Sequence, residues 1–417
     1  MATVSATSTI QSGAQQSSCQ DAPTPCSPCN KENVGWRRIV RNFTPSWFAV
    51  TMGTGIVSVL LRNLPYNATW ISHGLAVAFF VLNIALFTVF TVITVLRYAL
   101  YPEIWKAMVV HPAQSMFLGC FPMGFATIIN MMIFVCAPAW GQWVVNWAWA
   151  FWWLDAALSM ATCISVPFVM IHQHRPGLQA VTAASLLPIV PVVVASSTGG
   201  IVAEALSNPS HAFTTLIASY VLWGIGICFS GMVLALYFHR LTIHSLPPKE
   251  AIVSVFLPIG PLGQGGFGIQ QLGKVSLKLF PQTAALTVAA PGAVHGGEIL
   301  YFVGLFLALV MWGFALVWLS FALISLATME KIPFNMGWWG FTFPLGVLAT
   351  CTGKLAQDLD SPFFRVMTMI FSLSVCLLWL LVAVRTLHQA ISGEIFFAPC
   401  LKDIRDKQAQ AGSDRRV

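Results

Sequence analysis

The chain has 417 residues, of which 57% are hydrophobic and only 8% are charged, and its formal net charge is +7. Soluble domains carry about 25% charged residues, so this composition excludes a soluble enzyme, a disordered protein and a secreted disulfide scaffold. A polytopic membrane protein remains. The cysteines form no even, loop-borne framework, and the C-x-x-C pair Cys26/Cys29 lies in a Ser/Thr/Pro-rich stretch, more typical of a polar tail than of a metal or redox site.

The apolar segments divide the chain into three parts. Residues 1–35 are rich in Ser, Thr, Gln and Pro, which predicts a disordered cytosolic tail. Residues 36–390 are expected to form one transmembrane transporter domain, and residues 391–417 a cytosolic C-terminal tail. The domain is predicted to be all-α, with ten transmembrane helices, because a bilayer core needs about 20 apolar residues per helix. The ten segments lie near 43–62, 70–97, 113–136, 141–171, 179–207, 211–239, 250–274, 296–328, 335–357 and 363–388.

Lysine and arginine set the expected orientation, since they accumulate on the cytoplasmic side. With both termini inside, the inner tails and connections hold 16 of the 21 Lys and Arg residues, while the outer connections hold Arg62, Lys274, Lys278 and Arg365. This asymmetry explains the basic net charge without a nucleic-acid partner. The sequon Asn67-Ala-Thr69 falls on the predicted outer side.

The odd-numbered segments share a proline followed by a run of Gly, Ser and Thr, whereas the even ones are richer in Leu, Val, Phe and Trp. Free backbone groups and small polar side chains are tolerated in a membrane only beside protein or a water-filled cavity. The pattern therefore favours five helical hairpins, with the odd helices around a central pore and the even helices outside. Close packing of small residues is the alternative explanation. The runs include Gly53-Thr54-Gly55, Pro122-Met123-Gly124, Ser196 to Gly200, Gly263 to Gly268 and Thr350 to Gly353.

Catalytic motifs are missing from the sequence. It has no G-x-x-x-x-G-K-[ST] loop, no H-E-x-x-H and no serine-hydrolase elbow, so we expect neither an enzyme nor a cofactor or metal site. The histidines His172, His174, His239 and His244 lie at predicted inner helix ends, where interfacial anchoring is their more common role.

Charges inside the segments are few, and charged residues at such depth are commonly functional. Lys354 lies late in the ninth segment, where it either draws small anions into the path or extends outward to the interface. Asp155 lies in the middle of the fourth segment, where a buried structural hydrogen bond is favoured over proton coupling. Glu204 is expected at the outer mouth.

The segments predicted to form the pore offer many hydrogen-bond donors and little negative charge, which favours a small anion over a cation. Three aromatic residues occupy comparable places in them, and Phe343, directly before Pro344, is the preferred hydrophobic plug, although core packing is the usual role of such residues. The candidate pathway residues are Thr54, Ser58, Phe121, Asn130, Ser197, Thr198, Gln264, Phe267, Thr352 and Lys354.

Residues 42–58 (NFTPSWFAVTMGTGIVS) and 337–346 (GWWGFTFPLG), with the alternating Pro/Gly segments, resemble the tellurite-resistance/dicarboxylate transporter family. The match is closest to the fungal sulfite exporters of that family and covers residues 36–390. The resemblance implies five hairpins around a pore, a homotrimer and small-anion transport. A phenylalanine on the ninth span occludes the pore in the related plant guard-cell anion channels and bacterial proteins, and this position corresponds to Phe343.

The chain departs from this family in two respects. The plant channels depend on long phosphorylated cytosolic tails, whereas this N-terminal tail is short. The fungal malate carriers move a dianion, which is expected to need two cationic clamps, and the sequence offers one intramembrane lysine. We therefore expect a plasma-membrane exporter of sulfite or bisulfite in the lipid bilayer, driven at least partly by membrane potential. A dicarboxylate carrier, a small-anion channel and a non-transporting receptor or scaffold are the alternatives.

Overall fold

The computed structural model describes residues 35–66, 70–173, 177–283, 296–330, 332–399 and 401, and all regular structure in these ranges is helical. The predicted all-α class is confirmed for this part of the chain. The Cys26/Cys29 pair, the sequon Asn67-Ala-Thr69, and the predicted tails beyond residue 35 at one end and 401 at the other lie outside the described residues.

The helices differ in length between alternate positions along the chain. Each of the longest ones spans more than 30 residues, whereas those at the predicted odd positions are shorter and follow a 3-10 turn. In chain order they are α1 Gly35–Asn42, α2 Phe48–Arg62, α3 Trp70–Leu100, α4 Pro102–Val110, α5 Cys120–Met131, α6 Ala137–Trp140, α7 Gln142–Gln173, α8 Val190–Ala205, α9 Pro209–His244, α10 Ile259–Thr283, α11 Gly296–Ala327, α12 Thr342–Asp358 and α13 Pro362–Ser392.

Among the described residues, eight stretches are long and apolar enough to cross a membrane, so the protein is a multi-pass membrane protein. Counting the bent pair of Gly35–Asn42 and Pro45–Arg62, which meet at 83°, gives nine. The predicted count of ten is not confirmed. The ninth predicted segment forms the 3-10 turn Met336–Phe341 and α12, and it is not one of these stretches.

The predicted inner and outer helices differ sharply in burial. The most apolar window of Ala183–Ala205 is 100% buried and that of Ile252–Thr283 is 89% buried, whereas the window of α3 is 22% buried. The windows of α7, α9, α11 and α13 are each 28% buried. Every residue of α2 from Phe48 to Leu60 is buried as well. The long apolar helices therefore face outward, and the helices rich in Pro, Gly, Ser and Thr lie inside.

The five inner helices pack into a closed ring. In order around the ring, α2 contacts α5, α5 contacts α8, α8 contacts α10, α10 contacts α12, and α12 returns to α2. Each is followed in the chain by a long outer helix that packs against it: α3, α7, α9, α11 and α13 respectively. This is the arrangement of five hairpins that the alternating sequence pattern predicts. We call α2, α5, α8, α10 and α12 the central helices.

The prolines of the central helices lie mostly in first turns. Pro191 is the second residue of α8, and Pro122, Pro261 and Pro344 are the third residues of α5, α10 and α12. Proline is tolerated there because the first amide groups have no partner within the helix. The prolines thus fix where the central helices begin.

Small residues bring the central helices close together at specific points. A Cβ atom on Gly263 of α10 would lie 2.8 Å from the backbone nitrogen of Leu348 in α12. One on Gly346 of α12 would lie 2.4 Å from a side-chain carbon of Ile56 in α2. The alternative explanation of the glycine runs, close packing, therefore holds at these positions alongside the formation of a ring.

Candidate functional site

A cavity of about 340 Å³ lies inside the ring and is walled by all five central helices. The wall residues come mainly from the C-terminal parts of these helices. They are Ile56, Val59, Leu60 and Asn63 of α2, Thr127 and Asn130 of α5 with Ile133 and Phe134 just after it, Val194, Ile201, Glu204 and Ala205 of α8, Gln264, Phe267, Gln271 and Lys274 of α10, and Phe343, Ala349, Thr350, Gly353, Lys354 and Gln357 of α12, with Thr368 of α13.

A second, much smaller space of about 10 Å³ lies among earlier residues of the same helices. Its wall has no charged side chain and consists of Met52, Met123, Leu186, Leu187, Val190, Leu257, Gly260, Phe343 and Pro344. On each central helix these residues precede those that line the large cavity. The small space and the cavity therefore follow one another along the axis of the ring, and we call the small space the constriction.

Phe343 is the one side chain that the walls of both spaces have in common among the described residues. It is the second residue of α12 and is 3% exposed. Pro344 and the 3-10 turn Met336–Phe341 hold the start of this helix in place. The aromatic ring therefore lies at the boundary between the polar cavity and the apolar constriction.

Lys354 lies in the cavity wall and is only 6% exposed. Its Nζ atom is 3.5 Å from Oδ1 of Asp358, one turn later in α12. The other oxygen of Asp358, Oδ2, is buried without a hydrogen-bond partner among the described residues. The lysine is therefore buried in the cavity wall rather than extended outward to the interface.

A second charged cluster lies on the neighbouring central helices α8 and α10. The Oε1 atom of Glu204 is 3.0 Å from Nζ of Lys274 and 2.6 Å from Nζ of Lys278, and its Oε2 accepts a 2.7 Å hydrogen bond from Gln271. The sequence predicts that Lys274 lies in an outer connection. That prediction is wrong, because α10 continues to Thr283 and Lys274 lines the cavity. The cavity wall thus carries two lysines rather than one.

Two amide side chains among the candidate pathway residues line the cavity. Asn130 is 7% exposed, and its Oδ1 atom has no hydrogen-bond partner in the described part of the chain. Gln264 lines the cavity and donates a hydrogen bond from Nε2 to the hydroxyl of Ser197, which in turn donates to the carbonyl of Val194 at 2.9 Å. Phe267, half-buried, lines the wall beside them.

Five predicted hydroxyl groups lie outside the cavity wall: that of Ser197, which Gln264 covers, and four others. Thr54 accepts a 3.0 Å hydrogen bond from Nε1 of Trp379, and Thr352 accepts a 2.9 Å bond from Nε1 of Trp312, so both face outer helices. Ser58 donates to the carbonyl of Gly55. Thr198 is fully buried, and its hydroxyl has no partner among the described residues.

Phe121 and Asp155 also lie away from the cavity. Phe121 packs its ring against Phe48 at 4.9 Å and Phe87 at 5.0 Å, between α5, α2 and α3. Asp155 is fully buried on α7, and neither carboxylate oxygen has a hydrogen-bond partner among the described residues. The expected structural hydrogen bond of Asp155 is therefore wrong for the described part of the chain.

The geometry suits a small anion better than a cofactor or a metal. Two lysines and several amide groups converge on a space of about 340 Å³, and amide and ammonium groups are hydrogen-bond donors to oxyanions. Glu204, the carboxylate of the described wall, is already paired with Lys274, and Asp358 behind the wall is paired with Lys354. Within the described ranges no three His, Cys, Asp or Glu side chains form a group that would hold a metal ion.

The model of the SLAC1 voltage-dependent anion channel family matches residues 42–387 of this chain. Sulfite efflux pump SSU1 of Arthroderma benhamiae is 49% identical over 357 residues, which cover 86% of this chain and 93% of that protein. Sulfite efflux pump SSU1 of Arthroderma otae is 50% identical over the same shares. The malic acid transport protein of Schizosaccharomyces pombe is 24% identical over 349 residues, 82% of this chain and 77% of that protein.

Proposed function

Because the chain belongs to the SLAC1 voltage-dependent anion channel family, we propose that it exports sulfite or bisulfite across the plasma membrane. It is accordingly a transport protein and not an enzyme. The observation that carries the proposal is the cavity enclosed by five central helices, with lysine and amide side chains in its wall. The choice of sulfite as the substrate rests on the relatives named sulfite efflux pumps, which are 49–50% identical over most of both chains.

The cavity would receive the anion after partial loss of its hydration shell. Lys274 and Lys354 attract negative charge, and Asn130 and Gln264 offer amide groups that replace bound water. Such replacement by fixed polar groups is how channels pass ions through narrow spaces. Phe267 supplies an apolar edge to the same wall. We include these residues in the pathway and leave out Thr54, Ser58, Phe121, Ser197, Thr198 and Thr352, because none of them lines the cavity.

Phe343 is the proposed gate. Its ring stands between the polar cavity and the apolar constriction, so an anion on the axis of the ring must pass it. Apolar constrictions exclude ions by excluding water. Movement of one side chain, or a small shift of the first turn of α12, would open the path without rearranging the other central helices.

Membrane potential is the proposed driving force, at least in part. Lysine and arginine favour a topology with both termini in the cytoplasm, so the constriction faces the cytoplasm and the cavity faces outward. Moving one negative charge out of a cell that is negative inside is favourable by about 2.3 kcal/mol per 100 mV. Export of a monoanion therefore needs no ATP. The family resemblance suggests assembly as a homotrimer.

A dicarboxylate such as malate is the second candidate substrate. The cavity holds two lysines, where the sequence offered one, and two cations suit a dianion. The similarity to the malic acid transport protein of Schizosaccharomyces pombe supports this alternative. We favour sulfite because the relatives named for it are about twice as similar in identity.

Purified protein in liposomes, under an imposed voltage, tests the proposal. Sulfite, malate, nitrate and chloride are compared as the transported anion. We expect the fastest flux with sulfite, a steep increase with voltage, and little flux of malate. Faster malate than sulfite would make the protein a dicarboxylate carrier, and no flux of any anion would favour a receptor or scaffold.

A further inference from the structure

Glu204 is the carboxylate of the described cavity wall, and it has three polar partners. Both of its oxygens are engaged: Oε1 by Lys274 and Lys278, and Oε2 by Gln271. The three donors come from one face of α10, at successive turns, while Glu204 itself ends α8. The carboxylate therefore bridges two neighbouring central helices at the wall of the cavity.

The surroundings of Glu204 match what a small oxyanion would need. Two ammonium groups and an amide N–H converge on one pair of oxygens, and the side chains of Glu204 and Lys274 are 27% and 34% exposed. Partly dehydrated charged hydrogen bonds of this kind are stronger than neutral ones. A transported oxyanion carries the same kind of oxygen atoms and would bind to the same donors.

We propose that Glu204 is a tethered counter-anion that occupies an anion-binding site formed by Lys274 and Gln271, and that the transported oxyanion binds there by displacing it. The inference rests on the proposed function, since it assigns a competitor to the same cavity. Lys278, at 58% exposure, keeps the displaced carboxylate paired at the rim. Glu204 thus stays paired both before and after the exchange.

The counter-anion makes binding weaker and release faster. A site that is open for only a fraction of the time binds its ligand more weakly in proportion to that fraction. Without the carboxylate, Lys274 would hold an oxyanion in a deep energy well and delay its departure. With the carboxylate present, Glu204 returns to Lys274 while the anion leaves, so that Lys274 is never left unpaired. Glu204 is therefore a specificity and turnover determinant rather than a simple structural ion pair.

The test is the variant Glu204→Gln in liposomes, with flux measured over a range of sulfite concentrations. The half-saturating concentration should fall roughly tenfold, and the maximal flux should fall by a similar factor, since one charged hydrogen bond of about 1.4 kcal/mol corresponds to a factor of ten. Flux at low concentration should change little. Glu298→Gln is the matched control: it removes the same charge from an exposed position at the start of α11, and its flux should equal that of the unmodified protein.

The double variant Glu204→Gln/Lys274→Gln separates competition from a structural role. If Glu204 competes for Lys274, the tighter binding disappears when Lys274 is absent. If the tighter binding persists without Lys274, or if Glu204→Gln alone leaves the half-saturating concentration unchanged, the proposal is overturned.

A shorter acidic side chain covers the case in which Glu204→Gln does not fold. Glu204→Asp keeps the charge but withdraws the carboxylate from Lys274 by one methylene, so the half-saturating concentration should fall by a smaller factor. An unchanged half-saturating concentration in Glu204→Asp would also overturn the proposal. Flux in the unmodified protein tests the proposed function separately. If sulfite does not move but nitrate or chloride does, the same variants are compared with that anion.

Discussion

The cavity and the constriction are built by the same five helices, yet their walls differ completely in chemistry. The cavity has lysines, amides and a volume of about 340 Å³, whereas the constriction has about 10 Å³ and a wall of Met, Leu, Val and Phe side chains. The groups proposed to bind the anion and the side chains proposed to obstruct it therefore lie at different positions along the axis of the ring. This separation means that substitutions in the two regions should affect different quantities: the constriction should control the rate of passage, and the cavity should control affinity, selectivity and, through Glu204, the rate of release.

The largest effect is expected at the boundary between the two regions. Phe343→Ala should raise anion flux about tenfold or more, because lowering a barrier by about 1.4 kcal/mol multiplies a rate by ten. The half-saturating concentration should change much less. The measurement is voltage-driven sulfite flux in liposomes, with thermal unfolding followed in parallel, since removing a buried aromatic ring costs about 3–5 kcal/mol of stability.

Phe341→Ala is the control for that loss of packing. Phe341 is 5% exposed and packs against Phe256 at 4.9 Å, but it lines neither space. Its removal should lower stability without raising flux. If Phe343→Ala folds and conducts no faster than the unmodified protein, the constriction is not a gate.

The next largest effect is expected in the cavity. Lys354→Gln should raise the half-saturating sulfite concentration roughly fivefold, which corresponds to about 1 kcal/mol for a partly hydrated charge. Lys354→Arg keeps the charge and should preserve most of the affinity. Concentration-dependent flux distinguishes these outcomes. If Lys354→Gln binds sulfite with normal affinity, Lys354 serves only as the ion-pair partner of Asp358 and does not bind the anion.

A smaller effect is expected from the neutral donor Gln264. Gln264→Leu removes the amide from the cavity wall and should raise the half-saturating concentration about two- to threefold, because a neutral hydrogen bond contributes about 0.5–1.5 kcal/mol. Gln270→Leu is the matched control: Gln270 is 1% exposed, donates to the carbonyl of Gly266 and does not line the cavity. Equal effects on affinity from the two variants would mean that the amide of Gln264 does not contact the anion.

The smallest effect on transport is expected outside both regions. Thr54→Val removes the hydrogen bond from Trp379 and should lower the free energy of unfolding by about 1 kcal/mol, with sulfite flux unchanged. Thermal unfolding and flux of the same preparation provide the measurement. A clear loss of flux at normal stability would place Thr54 in the pathway after all.

Much of the architecture was predictable from the sequence because it depends on which helices tolerate prolines and small polar residues. The alternation of these residues identified the five central helices. The number of crossings was not predictable, because α1 and α2 form a bent pair and the ninth segment, which carries Lys354 and ends at Asp358, is not long and apolar enough to count as a crossing. The end of α10 was also missed, since Lys274 and Lys278 resemble a connection when they are read as isolated charges, although with Gln271 they lie on one helical face.

The candidate pathway was predictable only in part, for a local reason. Small polar residues occur all around a central helix, so composition does not tell which of them face the axis. Ser58 donates to the carbonyl of Gly55 three residues earlier, and Thr352 to that of Leu348 four residues earlier. Hydroxyl groups satisfied in this way are stable at any position around the helix. Larger groups such as Asn130, Gln264 and Lys354 need space or a partner, and the cavity provides both.

The parallel direction of the central helices has an electrical consequence at the constriction. All five begin within about one turn of it, at Phe48, Cys120, Val190, Ile259 and Thr342. Each helix carries a dipole equivalent to about half a positive charge at its N-terminus. Five aligned dipoles make the narrowest point attractive to anions and repellent to cations although no ionised side chain lines it. The ring can therefore select by sign where it is tightest, without a fixed charge that would trap the ion.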